Sequence, residues 1–141
     1  MNAASGESGA EGMDSASRNA FGLLIASQAA HSVEEYVFRL YDVFAPARFV
    51  AGLFGSDLKA GFAVANALLV LFGAWCYLAR VRPGHPSSRA YAWPWTGVEA
   101  VNGCGHLLFA ARAGGYFPGA ATAPLLLGLA LYLGARLSKA R

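Results

Sequence analysis

Three ionisable side chains fall within five residues at His31-Ser-Val-Glu34-Glu35, in a stretch whose neighbours are otherwise apolar. Imidazole and carboxylate together can ligate a divalent cation. They can also exchange protons as a general acid and base. A charged side chain at the centre of a membrane helix costs roughly 2.5–3.5 kcal/mol, so several on one helix imply use rather than accident. At about 100° per residue, and with His31 at zero, Glu34 falls at about −60° and Glu35 at about +40°. Ser27 and Gln28 lie one turn earlier on the same face. A polar stripe of this kind must face a bundle interior and not lipid.

A second stripe lies further along the chain. Glu99, Asn102 and His106 stand at i, i+3 and i+7, which is again one helical face, with Trp95 and Thr96 one turn before it. At ~1.5 Å per residue, His31 lies about 18 Å from a helix start at Asn19, and Asn102 about 18 Å from one at Ala90. The two stripes are therefore expected to meet at similar depth. Asn66 can reach the same region from an intervening helix.

The chain has 141 residues, enough for one domain, with 56% hydrophobic and only 13% charged residues. Ordinary soluble domains carry about 25% charged residues. With a mean hydropathy of +0.41, this composition favours an integral membrane protein. The net charge of +3 comes from scattered basic residues, which excludes a nucleic-acid patch. Cys76 and Cys104 both sit in apolar stretches and read as buried thiols, not as a disulfide framework.

Residues 1–18 are rich in Gly, Ala, Ser and acids, without a basic-then-apolar leader pattern, and are expected to form a disordered tail. Residues 19–141 form the expected membrane domain. Four apolar segments follow, from about Asn19 to Phe44, Ala60 to Ala79, Ala90 to Ala111 and Tyr116 to Ala135. The last three are about as long as the roughly 20 residues a span needs. Long unbroken runs without alternation indicate helices, which satisfy their own backbone groups in lipid. The expectation is an all-α fold, a four-helix transmembrane bundle with short loops. Pro94 is expected in the first turn of the third helix and Pro124 near the start of the fourth. Arg18, Arg80, Arg82, Arg89, Arg136, Lys139 and Arg141 fall on one side, and Arg39, Arg48, Lys59 and Arg112 on the other. This bias places both termini in the cytoplasm, with the plasma membrane of a bacterium as the expected location.

The motifs resemble those of the HXXEE-domain family of small integral membrane proteins. His31-Ser-Val-Glu34-Glu35 matches the naming motif, Asn102-Gly-Cys-Gly-His106 an N-x-x-x-H motif, and Tyr116-Phe-Pro118-Gly119 followed by Thr122 a Y-x-P-G element. The three occur in family order from His31 onward. The resemblance implies a membrane enzyme of unsettled chemistry and supplies no substrate.

Three readings of the polar groups remain open at this point. One is a single divalent metal on His31, Glu35, Glu99 and His106. Three protein ligands with an open position suit catalytic zinc, and the carboxylates also suit iron or manganese. A symmetric di-iron bundle needs two E-x-x-H pairs, and the sequence has none. A second reading is metal-free acid–base chemistry on a lipophilic small molecule or lipid. Here His31, Glu34, Glu35, Glu99, Asn102 and His106 would be catalytic, and Asn66, Trp95, Tyr116 and Thr122 would contact substrate. The third is not enzymatic, a proton or ion relay or a small-ligand binder. The plainer readings are an exposed i,i+4 pair of Glu35 with Arg39, inter-helix hydrogen bonds by the histidines, and a simple turn at Tyr116–Gly119.

Overall fold

The computed structural model describes residues 12–139, and they are all-helical with no strand among them. The expected disordered tail lies outside the described residues for positions 1–11. Its remainder differs from expectation, because helix α1 spans Ser15–Val37. The Asp14 carboxylate caps it, accepting from the Ser17 N–H at 2.7 Å, which satisfies one donor of the open first turn.

Helix α1 stops well before Phe44. Arg39 adopts left-handed φ/ψ values of 58° and 50°, a conformation that non-glycine residues visit uncommonly. The chain then folds into two short helices, α2 (Leu40–Val43) and α3 (Ala45–Gly52). These were not legible as separate elements in the first apolar segment. Arg39 bonds Asp42 at 2.5 Å, so its expected i,i+4 pair with Glu35 is not formed.

Helix α4, Leu58–Cys76, is capped by Asp57 and runs on into a π-helical turn at Tyr77–Val81. Together, Leu58–Val81 is the one described helix long and apolar enough to cross a membrane by length and composition. Helix α5, Ser88–Ala113, ends at Gly114 in the left-handed conformation, a common helix stop. Pro94 lies inside α5 rather than in its first turn, because the helix starts at Ser88 and not at Ala90. Helix α6 is Ala123–Lys139, with Pro124 in its first turn as expected.

The long helices pack in the order α4, α1, α6, α5, with α3 against α4. Leu24, Trp95, Leu126, Leu133 and their neighbours form one apolar core. Leu40, Tyr41, Ala51 and Phe62 form a second, smaller one. Glycine allows the closest approaches. A Cβ on Gly61 would stand 2.1 Å from the Ala51 carbonyl oxygen. Arg18 donates to the Arg82 carbonyl, Arg89 to that of Leu137, and Arg136 pairs with Asp14. These cations therefore gather at one end of the bundle.

Beside the apolar core the bundle also buries a polar centre, while large apolar side chains stand outside. Gln28, His31 and Glu99 are no more than 2% exposed, while Val33, Leu71 and Val101 are 62–75% exposed.

Candidate functional site

The centre of the bundle is built from α1, α5 and the link between α5 and α6. His31 and Glu35 are one turn apart on α1, and His106 faces them from α5. The Nε2 of His31 is 3.3 Å from Glu35 Oε1, and the Nε2 of His106 is 3.0 Å from the same oxygen. The two imidazoles meet edge to face, with centroids 4.6 Å apart. All three side chains are buried, with exposures of 0%, 7% and 6%.

The outer nitrogens fix the tautomers. His106 Nδ1 lies 2.7 Å from the Pro118 carbonyl. A carbonyl only accepts, so Nδ1 carries the hydrogen. His31 Nδ1 lies 2.7 Å from Thr122 Oγ1. That hydroxyl gives its single hydrogen to Glu34 Oε2 at 2.6 Å, so His31 Nδ1 must donate to it. In their neutral forms both histidines therefore turn an Nε2 lone pair towards the Glu35 carboxylate. The His31 Nε2 is buried and has no hydrogen-bond partner.

Three lone-pair atoms turned towards one another repel unless a proton or cation lies among them. They lie within 4.8 Å of one another. Bonds of 2.0–2.2 Å in tetrahedral or octahedral arrangement set neighbouring ligand atoms about 2.8–3.6 Å apart; the two separations from Glu35 fall in that range, and closing the whole set from 4.8 Å on a cation requires the imidazoles to draw together. Outer-nitrogen hydrogen bonds of the kind made by His31 and His106 are those of metal-bound histidine.

The two glutamates of the motif have different jobs. Glu34 accepts four hydrogen bonds: from Tyr116 Oη at 2.6 Å, the Ala121 N–H at 3.0 Å, the Thr122 N–H at 2.8 Å and the Thr122 hydroxyl. It is saturated, and it clamps the 116–122 link to α1. Burial and the Glu34 carboxylate push the Tyr116 phenol up to about 12, so Tyr116 stays a donor. The clamped link then supplies both groups that hold the histidine tautomers. Glu35 keeps its oxygen for the centre.

Gly119 and Pro118 were not singled out as site residues by sequence reasoning. Gly119 has φ +94°, and a Cβ there would stand 2.5 Å from His106 Nδ1 and 2.8 Å from His31 Cε1. Only glycine fits between these rings. The available signal was the Y-x-P-G element, whose Pro-Gly pair reads as a turn until the histidines are placed around it.

Glu99, expected in the metal set, is not one of the three converging side chains. It is fully buried beside them and within electrostatic reach of His31 and Glu35. Asn102 donates to it at 3.3 Å. With the amide oriented to satisfy both neighbours, Gln28 donates to it at 2.8 Å and accepts from Ser32 Oγ. Asn66 stands apart, its side-chain amide 3.1 Å from Ser32 Oγ, and it lines a different crevice between α1 and α4. Trp95 belongs to the apolar core, and its ring packs beside Phe72.

Fold and site together define a small all-helical protein whose apolar core adjoins a buried polar centre of two histidines and a carboxylate. The chain belongs to the HXXEE family: the family model for a protein of unknown function with HXXEE motif matches residues 22–133. No curated protein and no solved structure matches it.

Proposed function

We propose that this protein is an integral membrane enzyme in which His31, Glu35 and His106 hold one divalent cation that acts on a lipophilic substrate. The observation that carries the reading is the buried His31 Nε2, which has no aligned hydrogen bond although it and the Nε2 of His106 lie 3.3 and 3.0 Å from one carboxylate oxygen. Two histidines and one glutamate match the ligand set of a catalytic zinc site that keeps a position open for water. They also match the facial triad of non-haem iron. A bound cation would lower the pKa of its water to about 7. Glu99, buried beside the centre and oriented by Asn102 and Gln28, is the base placed to take up the proton.

The membrane assignment is supported by the apolar exterior. Large apolar side chains stand exposed along α1, α4, α5 and α6, more than a monomer in water ordinarily shows. Leu58–Val81 has the length and composition of a span. The four-span reading takes α1, α4, α5 and α6 as the crossing helices. The end that carries Arg18, Arg80, Arg82, Arg89 and Arg136 then faces the cytoplasm, with both termini.

The test is elemental analysis of protein purified in detergent without chelator. The reading expects about one equivalent of a transition metal per chain, lost in His31→Ala, Glu35→Gln and His106→Ala. Cobalt substitution should give visible absorption bands that vanish in the same variants. Protein without stoichiometric metal, and indifferent to added zinc or cobalt, would refute it. Such a protein would support metal-free chemistry instead, because the same separations suit N–H donation from protonated imidazoles to Glu35.

A further inference from the structure

The ring of helices is closed on three sides and open on the fourth. Helices α4 and α5 part along their middle, leaving a crevice of about 560 Å³ whose walls include Leu69, Val98 and Val101. Its floor carries Gln28, Glu35 and Asn102. Towards the start of α5 it continues past Phe72 and Trp95. Towards the end of α5 it continues past Asn102 and His106 into a box formed by Phe44, Phe109 and Phe117. The aromatic box is tight, with centroids 5.1 Å apart for Phe44 and Phe109 and 5.2 Å for Phe109 and Phe117. The three spaces follow one another along α5, adjoining at Leu69 and Val98 on one side and at Val101 and Asn102 on the other, with the proposed centre off the middle one.

From this groove we infer that the substrate is a single-chain lipid. Its aliphatic tail lies between α4 and α5, and its reacting polar group lies at Glu35 and His106. This rests on the reading that the chain is membrane-embedded and acts at that centre. Three features select this occupant. The groove runs along α5, so a tail ordered along the membrane normal can enter sideways without turning. From His106 to Trp95 is eleven residues, about 17 Å of helix, against roughly 15 Å for half a hydrocarbon core. From His106 to Phe109 is under one turn, so the reacting group must lie near one end of the molecule.

The groove is also too narrow for a helix. Phe72 and Trp95 bridge α4 and α5 with centroids 6.2 Å apart, whereas a helix with its side chains is about 10–12 Å wide. A hydrocarbon chain, far thinner than a helix, can lie along the slot over these two rings, which close its base. The carboxylate and amides on its floor, otherwise costly beneath apolar walls, give the reacting group its partners.

The probe is a palmitic acid analogue with a mid-chain diazirine, irradiated with the full-length protein in phosphatidylcholine vesicles, with the adducts mapped by mass spectrometry. Adducts should concentrate on Leu69, Phe72, Trp95 and Val98 relative to the exposed Leu125 and Leu131 of α6. Gly97 lines the crevice, and a Cβ there meets nothing within 4 Å, so Gly97→Leu fills the slot without a clash. It should lower crevice labelling at least about fourfold, the ratio that corresponds to one buried methylene at about 0.8 kcal/mol. Gly128 on α6 is equally open, and Gly128→Leu should leave labelling unchanged. Labelling spread evenly over α4, α5 and α6, or unaltered by Gly97→Leu, overturns the inference. So does a disulfide dimer formed on oxidation of a Val98→Cys variant, which would make a second copy the occupant. Labelling does not depend on the metal. Measuring metal content on the same samples therefore separates a failure of this inference from a failure of the metal reading.

Discussion

Gly119→Ala tests the centre through one methyl group. The native φ of +94° lies outside even the left-handed well that other residues visit, and holding an L-residue there costs about 1–3 kcal/mol. The new Cβ would also stand 2.5 and 2.6 Å from His106 Nδ1 and Cε1, and 2.8 Å from His31 Cε1. All three contacts are too short to survive, and overpacking of this kind costs typically 1–3 kcal/mol more. Neither ring can yield freely, because each is tied by its Nδ1 to Thr122 or Pro118. The sum is on the order of 2–6 kcal/mol of stability, or a fall in the thermal midpoint on the order of 10 °C. Relief by withdrawing the link would release both outer-nitrogen bonds, a loss worth about 10–100-fold in metal affinity. Differential scanning fluorimetry in detergent reads the first effect and zinc titration the second. Gly128→Ala, at an open helical site, should be neutral or slightly stabilising. A Gly119→Ala protein that melts with the wild type would refute the packing argument. One that melts early but binds zinc normally would refute the coupling of link to centre.

The remaining predictions address the clamp and the helix cap. Glu34→Gln turns its amide N–H, in either orientation, against the backbone N–H of Ala121 or Thr122, which can only donate, and should destabilise by about 2–4 kcal/mol. Tyr116→Phe removes one donor and should cost no more than about half of that, both read as shifts in melting temperature. Thr122→Val deletes the acceptor for His31 and should weaken zinc binding about tenfold, whereas Thr122→Ser restores it. Asp14 is held at about 2 against an ordinary 3.8, by hydrogen bonds from Ser17 and Arg136. A lowered carboxyl pKa stabilises the fold above the unfolded value and is lost on acidification through the folded one. Amide exchange in the first turn of α1 should therefore accelerate between about pH 4 and pH 2, and an exchange profile flat over that window would count against the cap.

The long helices were legible because their apolar runs are long and lightly charged. Their ends were less so. Asp14 starts α1 within a Ser- and Ala-rich stretch that resembles a tail, and no turn residue announces the left-handed Arg39. These boundary shifts changed the register of the site. Counted from Ser15 and Ser88, His31 lies about 24 Å along its helix and Asn102 and His106 about 21 and 27 Å along theirs, so depth alone no longer pairs His31 with Asn102, and the structure packs it edge to face on His106. Gln28 is likewise set against Glu99. The helical faces of His31, Glu35, Glu99 and His106 could be read from spacing alone. The division of work between Glu34 and Glu35 could not, because it depends on a link 82 to 88 residues away in sequence.

The clamp also orders events in time. The groups that hold both imidazoles, the Pro118 carbonyl and the Thr122 hydroxyl, belong to the connection into the final helix. Until α6 has packed between α1 and α5, His31 and His106 have neither a fixed tautomer nor a fixed ring plane. If the centre holds a cation as proposed, its capture would then be the last step of maturation. A half-built chain would be spared a stray ion, and a loaded one would carry proof that its last hairpin is in place.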